Sequence, residues 1–212
     1  NAYRLLQKPI PDELFVSNIT TTVTAPVQVD PTGLLQPTLD GEETSYFEWL
    51  GAGLVEIRGT SGAMHQTDRR PPLLTSIRFG FGGDRLFVRI DAVRPMVDLL
   101  AQGYELSLKF LQPPGLRFSV AQRDGRLHGA FWDRDANAPV WTERGPDGVA
   151  FAAARLLELA VPLRDLDLRP GERLSFFAAV YAGDDEVERH PEGRPIDAQV
   201  PAADFASRHW TA

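Results

Sequence analysis

The residues of this chain best suited to chemistry are aromatic and polar rather than nucleophilic. Trp132 and Trp141 bracket a polar loop in "GAFWDRDANAPVWTERG", with Asp133, Arg134, Asn137 and Arg144 beside them. An indole ring offers a flat apolar face, and neighbouring carboxylates, amides and guanidinium groups supply directional hydrogen bonds. That mixture suits a sugar: Trp132 and Trp141 would stack on its C–H faces, and Asp133, Arg134 and Asn137 would hold its hydroxyls. The competing role for either tryptophan is core packing, since large rings are highly buried on average. Trp49, among apolar neighbours, and Trp210, near the chain end, read as core or interface residues.

Other constellations are weaker. His65, His128, His190 and His209 show no metal-ligand spacing, so they read as surface or hydrogen-bonded histidines. Ser61, His65 and Asp68 share one loop, but a triad is made by geometry in space, and the strand-to-helix nucleophile elbow is missing. Glu42, Glu43 and Glu48 could supply a glycosidase carboxylate pair, a signal that almost any β protein offers. The acidic run Asp184, Asp185, Glu186 and Glu188 reads as a solvated hairpin end. Calcium is its functional alternative, although the EF-hand pattern is absent. The sequence therefore points to no catalytic residue and no required cofactor.

Composition narrows the classes further. The chain has 212 residues, 43% hydrophobic and 24% charged, which suits one large domain with a substantial core. A net charge of −7 argues against non-specific binding to nucleic acid or anionic membranes. There is no cysteine, which removes disulfides, thiolate metal sites and a cysteine nucleophile, and leaves the compartment open. No apolar run reaches the roughly 18 residues of a spanning helix. A first residue of Asn rather than Met reads as a fragment or a processed product.

The elements that must position these residues are strands. "TSIRFGFGGDRLFVRID" alternates on both sides of Gly82-Gly83-Asp84, placing Ile77, Phe79 and Phe81 on one face and Leu86, Val88 and Ile90 on that of the return strand. "YELSLKF" turns Tyr104, Leu106, Leu108 and Phe110 inward, and "RFSVAQRDGRLHGAFW" forms a hairpin about Asp124-Gly125. "LSFFAAVYA" is apolar on both faces and reads as a central strand covered on both sides. "MVDLLAQGYE" suits one short helix, and "LELAVP" a strand ended by Pro162. The expectation is an all-β antiparallel sandwich over residues 37–212. Residues 1–36 would be an N-terminal extension, in which "TTTVTAPVQVDPTGLLQP" serves as a linker or an edge strand.

Several segments in order resemble one family: "PTLDGEETSYFEWLGAG", "SGAMH", "IRFGFGGDRLFVRID", "LLELAVPLRDLDLRPGERLSFFAAVY" and "VERHPEGRPIDAQVPAADFASRHW". Together they resemble the C-terminal region of glycoside hydrolase family 57 proteins, which act on α-glucans. More distantly they resemble the family 9 carbohydrate-binding modules and related DOMON-like sandwiches. The matching positions are Pro37 to Gly41 with Trp49, Asp84 to Asp91, and Glu158 to Pro162. The resemblance implies a non-catalytic accessory module that binds α-glucan or maltooligosaccharide, or packs on a catalytic barrel of the same polypeptide. It implies that Asp40-Gly41 turns into the sandwich and that Glu48 is a strand residue. The aromatic pair of family 9 modules is not located by these motifs, so Trp132 and Trp141 stand on their chemistry. The alternatives are a purely structural sandwich and, further off, a free-standing glycosidase.

Overall fold

The computed structural model describes residues 28–57, 71–134, 140–146, 148–202 and 205. Two antiparallel sheets pack face to face, as the alternating strands require. Sheet A contains β1 (Gln28–Val29), β2 (Gly53–Glu56), β3 (Leu74–Gly82), β4 (Arg85–Ala92), β9 (Ala150–Ala153) and β10 (Leu157–Pro162), in the order β1-β2-β3-β4-β10-β9. Sheet B contains β5 (Tyr104–Gln112), β6 (Leu116–Arg123), β7 (Arg126–Arg134), β8 (Trp141–Arg144), β11 (Arg173–Ala182), β12 (Asp185–His190) and β13 (Ile196–Gln199). Its order is β12-β11-β5-β6-β7-β8, and β13 pairs with β11 alongside β12.

Local chemistry sets the turns. Gly83 and Asp84 close the β3–β4 hairpin, and Asp124 and Gly125 close β6–β7 with φ of 51° and 74°. Two successive positive φ values suit the right-handed strand twist, and Asp and Gly adopt them most readily. The alternation then delivers the core. Ile77, Phe79, Leu86, Val88 and Ile90 of sheet A face Leu106, Leu108, Phe118, Val120 and Phe176 of sheet B, all buried. Phe79 meets Phe176 edge-on at 6.0 Å, and Phe118 meets Phe131 at 5.0 Å. Between β4 and β5, helix α1 (Met96–Ala101) buries Met96, Leu99 and Leu100 in one end of the core.

Two expectations change, and of the two readings of the stretch before residue 37 the edge strand is the one its described part follows. The segment containing Glu48 is not a strand: residues 37–52 cross the outer face of sheet A as bends and turns. Their alternation is broken by Gly41 and Gly51, both at positive φ. Strand β11 lies inside sheet B, yet Phe177 and Tyr181 on its outer face are only half-buried, so that face is open. The aromatic residues there pack against cationic side chains of the same sheet, Phe177 against Arg189 and Tyr181 against Arg117 and Lys109, not against a second core. Residues 28–36 also join the sandwich. Gln28–Val29 is an edge strand on β2, and Leu35 is buried, its N–H donating to the Phe81 carbonyl at 2.8 Å.

Candidate functional site

Two faces point away from the core, and sequence motifs converge on both. On the outer face of sheet A, the crossing segment 31–52 covers Phe87 and Ala160 with Leu35 and Trp49. Glu158 of β10 lies beneath it, fully buried. One carboxylate oxygen accepts the N–H groups of Asp40 and Gly41, each at 3.0 Å, and the other accepts the Trp49 indole N–H at 3.0 Å. Burial pushes this carboxyl above the ordinary glutamate range, and the three donors only partly offset that. The clamp explains the spacing of the sequence motif. The turn amides and the tryptophan, eight to nine residues apart, meet at a carboxyl group more than a hundred residues further along the chain. A glycine is required at 41, because a Cβ there would press on the backbone of Ala153 and Ala154. Glu158 is closed off from solvent, so this arrangement fastens the segment to the sheet.

A second clamp joins the two sheets. Glu188 of β12 accepts the N–H groups of Leu73 and Leu74 at 2.6 and 3.0 Å, and pairs with His190 Nε2 at 2.7 Å. Burial raises the Glu188 carboxyl, but His190 and the two amides outweigh it and leave the pKa below the ordinary value. Glu186 is likewise engaged, by Lys109 Nζ at 2.8 Å, the Tyr181 hydroxyl at 2.9 Å and Arg189 Nε at 3.1 Å. These two carboxylates of the acidic run are committed to protein donors. Among the described residues, no three His, Asp or Glu side chains converge as a metal-ligand set.

The outer face of sheet B is different. Cross-strand register places Lys109, Arg117, Trp132 and Glu143 side by side on β5, β6, β7 and β8. Phe177 sits opposite Lys109 on β11. The next row is small: Ala179, Ser107, Ser119 and Ala130. These four lie on the solvent side yet are buried, because larger side chains overhang them. The overhang is aromatic and cationic. The Arg117 guanidinium carbon lies 5.0 Å from the Trp132 ring centre, 5.4 Å from that of Trp141 and 5.5 Å from that of Tyr181. Lys109 approaches Tyr181 at 5.7 Å, and Arg189 approaches Phe177 at 5.2 Å. The Trp132 indole N–H donates to Ser119 Oγ at 2.8 Å, which fixes the ring's tilt.

The expected site is thus partly assembled. Trp132 and Trp141 share one half-exposed face and one guanidinium. Arg134, exposed, is the cross-strand partner of Trp141 and occupies an outer position like Trp132. Asp133 does not join them. It follows Trp132 on the same strand, so its side chain takes the opposite face, where it holds Arg144 Nε at 2.8 Å. Asn137 lies outside the described residues. Arg117, Tyr181 and Phe177 belong to the platform although their residue types alone do not single them out. Their outward parity is readable in the sequence, but the register joining β11, β5 and β6 is not.

Comparison with known proteins adds no relative: no family model, no curated protein and no solved structure matches the chain.

Proposed function

We propose that this chain is a non-catalytic accessory module that binds carbohydrate, with α-glucan as the expected ligand, on the outer face of sheet B. The observation that carries this reading is the grouping of Trp132, Trp141 and Tyr181 around Arg117 on a solvent-facing sheet. Rings on a rigid sheet offer large contact area at low conformational cost, and saccharide rings match them with flat C–H faces. Hydroxyl groups would find Arg134 and Glu143 within the same surface. The family resemblance points the same way, because its accessory sandwiches serve enzymes that act on α-glucans.

The test is binding of the purified chain to insoluble starch and, by titration calorimetry, to maltooligosaccharides. Trp132→Ala and Trp141→Ala are each expected to weaken binding roughly two- to tenfold, from an aromatic contribution of about 0.5–1.5 kcal/mol. Full affinity in both variants would sink the site assignment.

A purely structural role has one observation in its favour. Leu34, Phe47 and Leu50 are exposed by 55%, 74% and 56% around a recess of about 300 Å³, with Tyr46 nearby at 76%. Such a patch suits packing on a catalytic domain. No binding across the glucan panel, together with self-association of the isolated chain in light scattering, would favour that role.

A further inference from the structure

We infer that the sheet-B platform selects saccharides bearing an oxyanion, a carboxylate or a phosphate, and that Arg117 receives it. This rests on the carbohydrate reading of the same face and narrows its ligand.

Three observations carry the inference. The first is charge. The outward positions of β6 and β7 hold Arg117, Arg123, Arg126 and Arg134 and no acidic residue, in a chain whose net charge is −7. The second is register. Lys109 and Arg117 lie directly opposite each other on adjacent strands. Like charges in that position destabilise a sheet, so the pair needs an anion nearby. Lys109 has one in Glu186 at 2.8 Å. Among the carboxylates of the described residues Arg117 reaches only Glu105, at 3.9 Å, beyond hydrogen-bond distance. The third is unmet donor capacity. Among the described residues the Arg117 side chain donates no hydrogen bond; its Nε is buried without a partner, and 15% of the side chain remains exposed for contact from outside. A guanidinium carries five N–H donors in a planar fork that matches a carboxylate or phosphate edge. Three aromatic rings hold this fork in place, so little side-chain freedom is lost when an anion arrives.

The other carboxylates of the face do not fill the role. Glu186 is committed to Lys109, Tyr181 and Arg189. Glu143 lies beyond Trp132 in the same row, on the side away from Arg117.

The test is calorimetric titration with three probes: maltoheptaose, an oligogalacturonate of similar length, and a maltodextrin carrying phosphate monoesters. At least one charged probe is expected to bind wild-type protein roughly 10- to 100-fold tighter than maltoheptaose, the margin of a charge-assisted hydrogen bond. The charged probe that shows the margin identifies the source of the oxyanion. In Arg117→Gln the ratio of charged to neutral affinity should fall towards one. Arg117→Lys, which keeps the charge and loses the fork, should retain part of it. Raising salt should shrink the wild-type margin. Equal affinity for charged and neutral probes in wild-type protein overturns this inference and leaves the carbohydrate reading standing. A margin that survives in Arg117→Gln also overturns it. Binding of no probe at all overturns both.

Discussion

The outer faces of the two sheets use the same residue types to opposite ends. Trp49 on sheet A is 4% exposed, and its indole N–H is spent on a buried carboxylate. Trp132 on sheet B is half-exposed, and its indole N–H is spent on a serine hydroxyl at the foot of an open platform. The difference lies in what covers the sheet. Over sheet A, residues 31–52 fold back, pinned by Thr32 and Gly33 to Gly51, by Leu35 to Phe81 and by Glu158 to the 40–41 turn. Over the centre of sheet B no chain segment among the described residues does the same, and side chains of the sheet itself shield its small residues. A tryptophan over a sheet is thus core where the chain folds back with it, as at Trp49, and platform where the face stays open, as at Trp132.

Trp49→Ala should separate the two faces most sharply. It removes a buried ring and also leaves Glu158 short of one donor. A loss of about 3–5 kcal/mol is expected from the ring alone, read as a lower urea midpoint. Binding at sheet B should be unaffected wherever the variant remains folded. A cost below about 1 kcal/mol would mean that the crossing segment is not held by this contact.

The two clamping glutamates differ in sign. Glu188 has a lowered folded pKa. Its contribution is present above the ordinary value of 4.5 and is lost as pH falls through the folded value. Glu158 has a raised folded pKa. Its contribution is full below 4.5 and is lost as pH rises through the folded value. Urea unfolding from pH 3.5 to 7 should therefore show the gap between wild type and Glu188→Gln narrowing on acidification. The gap between wild type and Glu158→Gln should widen over the same range. A tenfold difference in proton affinity between the folded and unfolded chain corresponds to about 1.4 kcal/mol of stability. Parallel curves for the two variants would remove the contrast between a clamp completed by a histidine and one completed by an indole.

Much of this architecture can be read from residue patterns. The β3–β4 and β6–β7 hairpins, the inward faces of β5 and β11, helix α1 and the strand ending at Pro162 all follow from alternation and turn chemistry. Those signals are local, with a period of two and a glycine at the turn. The path of residues 37–52 is not legible in this way. Its aromatic content reads as strand, whereas the segment is held by tertiary contacts to Glu158 and Leu156 that no local pattern encodes. The platform is half-legible. Trp132 and Trp141 stand out by type, and Asp133 stands beside them in the chain, but strand parity sends it to the other face. Arg117 is invisible as a site residue in the sequence, because its neighbours Trp141 and Tyr181 come from strands far away along the chain.

The smallest expected effect is the most telling about the open face. Trp132→Ala removes one indole hydrogen bond and one cation–π contact from a half-exposed position. Each contributes about 1 kcal/mol or less, and no buried cavity forms, because one side of the ring already meets solvent. Thermal unfolding should thus move by only a few degrees, far less than for Trp49→Ala. A stability loss comparable to that of Trp49→Ala would mean that Trp132 organises sheet B, and that its rings are oriented by folding rather than held ready for a ligand. A small loss accompanied by weakened saccharide binding would place the two tryptophans in separate roles on the same scaffold: one closed beneath a folded-back chain, the other left open for an occupant from outside.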